Sequence, residues 1–271
     1  MKRSNLTERM IVNLLMVPTC ALFGILGGWW LAAFASLVLG LAAYEFITLY
    51  RAGGNSPLVW VTVPTVMALP LLRQAFGFQH SDLVLAAAVV ISMVACSVLQ
   101  ERRGNFFALS WAATLAGILY LGWLGAYVVS LRNLPNGMWW TLIVFPAVSL
   151  TDAGGYLFGR WLGRHKMSLR VSPNKTWEGY AGGVFFAIAG GLLLSWLWGI
   201  VSPEITLFKG TLLSAVIGIT VQFGDIGESM LKRSFGMKDS SNLLPGHGGM
   251  MDRIDSSLFA AVIGFYVVSL L

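Results

Sequence analysis

Residues 30–49 read WLAAFASLVLGLAAYEFITL, twenty residues in which Glu45 is the only charged side chain. The hydrocarbon core of a bilayer is about 30 Å thick, and about 20 consecutive apolar residues cross it as a helix. The stretch therefore reads as a transmembrane span, and the same pattern recurs on both sides of it. Apolar runs lie near 11–28, 30–49, 58–75, 83–99, 106–130, 138–158, 179–200, 210–230 and 256–271. Gly27-Gly28 alone divides the first two, and the last run is short. The expectation is an all-α polytopic integral membrane protein with about nine transmembrane helices, give or take one.

Composition agrees. Soluble domains carry about 25% charged residues, whereas this 271-residue chain carries 11%, with 56% hydrophobic residues and a mean hydropathy of +0.73. So few charges cannot cover a surface facing water, which excludes a soluble globular protein. The net charge of +6 does not mark a nucleic-acid binder, because the cations fall in short loops between apolar runs. Tryptophan and tyrosine suit the bilayer interface, and abundant glycine suits close helix packing. Cys20 and Cys96 lie far apart in apolar runs without a CxxC pattern, and read as inert packing residues. The apolar run after Met1-Lys2-Arg3 is read as a first span and not as a cleaved leader, because further spans follow at once. No soluble domain or internal repeat is apparent. Residues 1–271 are expected to form one transmembrane domain, with motif-poor helices over 1–135 and a catalytic half over 136–271. Gly155, Gly159 and Gly163, like Gly179 and Gly183, have the GxxxG spacing, a pattern that also arises by chance in a glycine-rich membrane protein.

Lys and Arg set the orientation. With the N-terminus on the cytoplasmic side, only Arg73, Arg132 and Lys209 of the 18 Lys and Arg residues fall on the opposite face. Both polar loops, 160–178 and 231–255, then share the cytoplasmic face.

Ionisable groups within a span are costly and each needs a reason. Glu45, near Arg51 at the cytoplasmic end of its span, reads as a structural or snorkelling residue. Asp152 and Asp225 precede the large polar loops. Asp225 and Glu228 are three residues apart, with Ser229 on the same helical face, and Asp252 and Asp255 repeat the spacing. Four such acids suit a hard cation such as Mg²⁺ shared with substrate phosphates. For Asp255 an alternative role, capping the last helix ahead of Ser256-Ser257, stands equally open. Between these acids lie Lys232-Arg233, Lys238-Asp239 and Pro245-Gly246-His247-Gly248-Gly249, a setting of cations and close-approach glycines fit for an anion. In the other loop, Arg160, Arg164, Lys166, Arg170 and Lys175 appear without an intervening acid, and Ser172-Pro173-Asn174-Lys175-Thr176 directly precedes a helix, where an anion is favoured. No GxxxxGK[ST] is present, so any nucleotide is held without a P-loop. The residues alone point to metal-assisted phosphoryl or nucleotidyl transfer at the membrane–cytoplasm boundary, with a lipid phosphate meeting a nucleotide.

The segment Ser229–Asp255, together with Thr151-Asp152-Ala153-Gly154-Gly155-Tyr156 and Ser172–Gly179, resembles the motifs of the phosphatidate cytidylyltransferases, or CDP-diacylglycerol synthases. Ala153 stands where that family would place a hydroxyl residue. The resemblance implies reaction of CTP with phosphatidic acid to give CDP-diacylglycerol and pyrophosphate in phospholipid biosynthesis. It implies Mg²⁺ at Asp225 and Asp252, a monovalent cation such as K⁺ beside it, a homodimer, and residence in a bacterial inner membrane. Asp225, Asp252, Lys238 and His247 are the expected catalytic residues, and Asp225, Asp252, Asp255 and Glu228 the expected metal ligands. The expected substrate-binding residues are Asp152, Ser172, Asn174, Lys175, Thr176, Lys232, Arg233, Asp239, Gly248, Gly249 and Arg253. Two rivals remain. A CTP-dependent lipid kinase would release CDP and not pyrophosphate, and a transporter would place polar residues at midplane in repeated halves, not at one face.

Overall fold

A lipid-embedded backbone must satisfy its own hydrogen bonds, and apolar runs of this length do so as helices. The computed structural model describes residues 4–104, 107–241, 243 and 248–271, with side chains described from Leu14 onward. The chain forms α1 (Ser4–Leu26), α2 (Gly28–Ala52), α3 (Val59–Phe76), α4 (Ser81–Arg103), α5 (Ala108–Gly117), a π-helical segment (Ile118–Trp123), α6 (Tyr127–Arg132), α7 (Gly137–Trp161), α8 (Trp177–Gly199), α9 (Leu207–Ser234) and α10 (Met251–Leu270). Among the described residues, eight helical segments are long and apolar enough to cross a membrane. The ninth expected span corresponds to α1, whose described apolar part is Leu14–Leu26. The chain is thus an all-α polytopic integral membrane protein.

Its helices separate where the sequence allows. Gly27 and Gly28 take φ values of 64° and 53°, a region open to glycine at little cost, and there α1 ends and α2 begins. The run expected as a single span over 106–130 is a composite of α5, the π segment and α6. Loop 231–255 is shorter than expected, because α9 continues to Ser234 and α10 starts at Met251. Loop 160–178 is not all irregular: β1 (Lys166–Ser168) and β2 (Ser172–Thr176) pair antiparallel, with Lys166 opposite Thr176 and Ser168 opposite Ser172.

The chain divides into two compact units. The first comprises Met1–Ser130 and Ser234–Arg253, the second Leu131–Arg233 and Ile254–Leu271. In the first, Leu58, Val61, Leu69, Ala88, Cys96, Phe107, Ile118 and Ala126 form a buried cluster. Arg73 is also buried there, its guanidinium 3.7 Å from the Phe78 ring centroid and donating to Ser130 Oγ at 3.0 Å. The Tyr50 ring of α2 packs at a tilt against Phe235, tying the segment after α9 to that unit. In the second, Trp140, Ile143 and Val144 of α7, Leu213, Ile217 and Val221 of α9, and Ala260 of α10 share one core.

The glycine spacings of α7 and α8 are a true contact. A Cβ at Gly179 would lie 2.8 Å from the Gly155 carbonyl oxygen and 3.2 Å from Gly159 Cα. One at Gly183 would lie 2.7 Å from the Thr151 carbonyl oxygen. The two backbones cross at a distance only small residues permit.

Candidate active site

Asp225 and Glu228 leave one face of α9 because they are three residues apart. Gly224 brings the third carboxylate to them. A Cβ there would sit 3.0 Å from Phe259 Cδ2 and 3.1 Å from the Asp255 carbonyl oxygen, so α10 lies directly against the α9 backbone at that point. One oxygen from each of Asp225, Glu228 and Asp255 then falls within 4.8 Å of the others. Glu228 is 1% exposed and Asp255 8%. Ser229 Oγ donates to Asp225 Oδ1 at 3.3 Å, and the Ser256 amide donates to Asp255 Oδ1 at 2.6 Å.

Two lysines flank the carboxylates. Lys175 Nζ lies 2.7 Å from Asp225 Oδ2 and donates to the Gln222 carbonyl at 3.0 Å. Lys232, buried one turn beyond Glu228, lies 2.5 Å from Glu228 Oε2. Carboxylates set this close together repel one another and would be drawn to a cation between them. All-oxygen donors of this kind fit a hard divalent ion.

The β hairpin positions Lys175. At the end of β2, Thr176 caps α8, its Oγ1 accepting from the Gly179 amide at 3.1 Å. Glu178 reaches back to accept from the amides of Arg164 and His165, and lies 2.5 Å from His165 Nδ1. Arg233 Nε donates to the Val171 carbonyl at 3.4 Å. Lys175 and Arg233 therefore join the hairpin to α9. Ser172 is half-buried on β2, while Asn174 and Asp152 are exposed.

Asp252 belongs to the first unit. Its Oδ2 accepts from the Ser240 amide at 3.0 Å, Ser240 Oγ at 3.0 Å and the Gly249 amide at 2.7 Å. Gly248 takes φ 80°, and Lys238, Asp239 and Arg253 are exposed. His247 lies outside the described residues.

Two open sequence readings narrow. Asp255 does not cap α10, because that helix begins four residues earlier, at Met251. Of the two roles read for Glu45, the structural one holds and the snorkelling one does not. Glu45 is 4% exposed and accepts four hydrogen bonds, from Ser240 Oγ, Ser241 Oγ and the amides of Met250 and Met251, at 2.7–3.0 Å. Its signal was present in the sequence as the one charge in a twenty-residue apolar run. Its partners, about 200 positions away, carried no signal pointing to it. Nor did Gly224, one glycine among many.

The model of the cytidylyltransferase family matches residues 7–271. A phosphatidate cytidylyltransferase of Synechocystis sp. is 34% identical over 292 aligned residues, covering 98% of this chain and 97% of its own length. That of Brucella suis is 34% identical, covering 96% of this chain and 92% of its own, and that of Bacillus subtilis 32% identical, covering 74% of each. Similarity of this extent, together with acids and lysines gathered at one point of the second unit, shows that this membrane protein belongs to the cytidylyltransferase family of nucleotidyl-transferring enzymes.

Proposed function

We propose that the chain is a phosphatidate cytidylyltransferase, joining CTP to phosphatidic acid with release of pyrophosphate on the cytoplasmic side of a bacterial inner membrane. The observation that carries this reading is the carboxylate cluster of Asp225, Glu228 and Asp255, flanked by Lys175 and Lys232, in a chain similar along most of its length to proteins of that name. The side of the membrane is inferred from the distribution of Lys and Arg.

In the reaction, a phosphate oxygen of the lipid attacks the α-phosphorus of CTP. The new P–O bond forms as the bond to the bridging oxygen breaks, and pyrophosphate carries away the electron pair. The attacking phosphate is ionised at neutral pH, so the protein needs no general base. Its work is placement and charge neutralisation. Asp225, Glu228 and Asp255 would hold Mg²⁺, with Asp252 keeping the metal role assigned to it by family resemblance. Bound Mg²⁺ supplies Lewis-acid neutralisation of phosphate charge. Lys175 and Lys232 hold the carboxylates in place and keep the surrounding potential favourable to anions. Arg233, Lys238 and Arg253 bind the triphosphate and lipid phosphate, and His247 with Gly248 and Gly249 orients the leaving group.

The deciding experiment incubates purified full-length protein with labelled CTP and phosphatidic acid, with and without Mg²⁺. A CDP-lipid and free pyrophosphate are expected only with Mg²⁺. Release of CDP with a phosphorylated lipid would instead make the protein a lipid kinase.

A further inference from the structure

Glu45 is a buried carboxylate of α2 that the mechanism above does not use. Both of its oxygens are committed to one short segment of chain. Oε1 accepts from Ser241 Oγ at 2.7 Å and from the Met250 amide at 2.9 Å. Oε2 accepts from Ser240 Oγ at 3.0 Å and from the Met251 amide at 2.8 Å. The Met250 and Met251 amides stand at the start of α10, where helical N–H groups lack intrahelical acceptors and where negative charge is favoured. A carboxylate from a helix remote in sequence thus serves as the cap of α10.

The same segment holds Asp252. Ser240 Oγ is 3.0 Å from Glu45 Oε2 and 3.0 Å from Asp252 Oδ2, so one hydroxyl group lies between the two carboxylates. The Ser240 and Gly249 amides also donate to Asp252 Oδ2. Gly249 has no room for a side chain, since a Cβ would collide with Ser240 Oγ and Glu45 Oε2.

We propose that Glu45 is a positioning residue: through Ser240, Ser241 and the first amides of α10 it sets the orientation of the Asp252 carboxylate for nucleotidyl transfer. This rests on the reading of Asp252 given under Proposed function. The geometry requires a carboxylate at position 45 and not merely an acceptor of that size. Each oxygen faces a main-chain N–H, which cannot reverse its polarity, so either amide orientation in Glu45→Gln sets an NH₂ group against a donor.

The test uses full-length protein in lipid nanodiscs. Glu45→Gln is expected to lower kcat and raise the Mg²⁺ concentration for half-maximal activity by about 10–100-fold in combination, the range found when groups supporting metal ligands are removed. The KM for phosphatidic acid should change by less than about threefold, and Glu45→Asp, which keeps both oxygens, should recover part of the loss. Hydrogen exchange at Met250 and Met251 should accelerate in Glu45→Gln while the α7 amides remain protected. If instead the variant gives less folded protein whose remaining molecules keep wild-type kcat and Mg²⁺ dependence, Glu45 only supports the fold and the proposal falls. Unchanged exchange at Met250 and Met251 would overturn it as well. If the wild type forms no CDP-lipid, the functional reading fails separately, and the exchange result still decides whether Glu45 holds this segment.

Discussion

Asp225, Glu228 and Asp255 bring three carboxylates within 4.8 Å, and Lys175 and Lys232 lie against the α9 pair. Removing one charge from such a cluster preserves its shape and weakens its hold on a cation. Asp225→Asn and Asp255→Asn are expected to lower turnover by about 100-fold or more, since several kcal/mol of charge stabilisation is at stake, with the folded fraction unchanged by gel filtration and circular dichroism. Asp252→Asn should also abolish turnover in a protein that still inserts and folds; near-normal CTP-dependent activity would remove Asp252 from the metal role. Chelation with EDTA should stop the reaction, and added Mg²⁺ should restore it. The pairs Asp225/Glu228 and Asp252/Asp255 were legible from helical spacing alone. That Asp255 joins the α9 acids was not, because it depends on a helix contact made at Gly224.

At the scale of elements, the crossing of α7 and α8 carries the clearest consequence. Gly179 and Gly183 lie against carbonyl oxygens of α7, whereas a Cβ at Gly155 would be 3.6 Å from the Gly179 carbonyl oxygen, an ordinary contact. Gly179→Leu or Gly183→Leu must push the helices apart, at about 1–3 kcal/mol or more, and should lower the thermal unfolding midpoint followed by tryptophan fluorescence in detergent. Gly155→Ala should leave it nearly unchanged. Equal effects at all three positions would mean that the helices do not meet on this face. Because α8 is led into by β2, the disruptive variants should also reduce activity through Lys175. The GxxxG spacing was readable beforehand, but its partner helix was not, since spacing alone carries no address.

For the whole molecule, the distribution of Lys and Arg sets a direction that labelling can check. In a background with Cys20 and Cys96 replaced by alanine, Arg170→Cys, on the exposed hairpin, should react with an impermeant maleimide only from the cytoplasmic side. Lys209→Cys should react only from the opposite side. Labelling of both from one side would overturn the orientation and with it the access of CTP to the site.

Hydropathy and charge determined the membrane class and the places of the spans along the chain. These are properties of one stretch of chain against lipid or water, and a window of about 20 residues contains the information. Only the tertiary structure decided which distant groups meet. Glu45 lies in that opening apolar run and reads locally as a lone charge beside Arg51; in the folded chain it is the cap of α10 and the anchor of Ser240 and Ser241. Its role is a matter of hydrogen-bond geometry between residues about 200 positions apart. No periodicity encodes such a pairing, because it arises when helices pack and orphaned amides must find an acceptor.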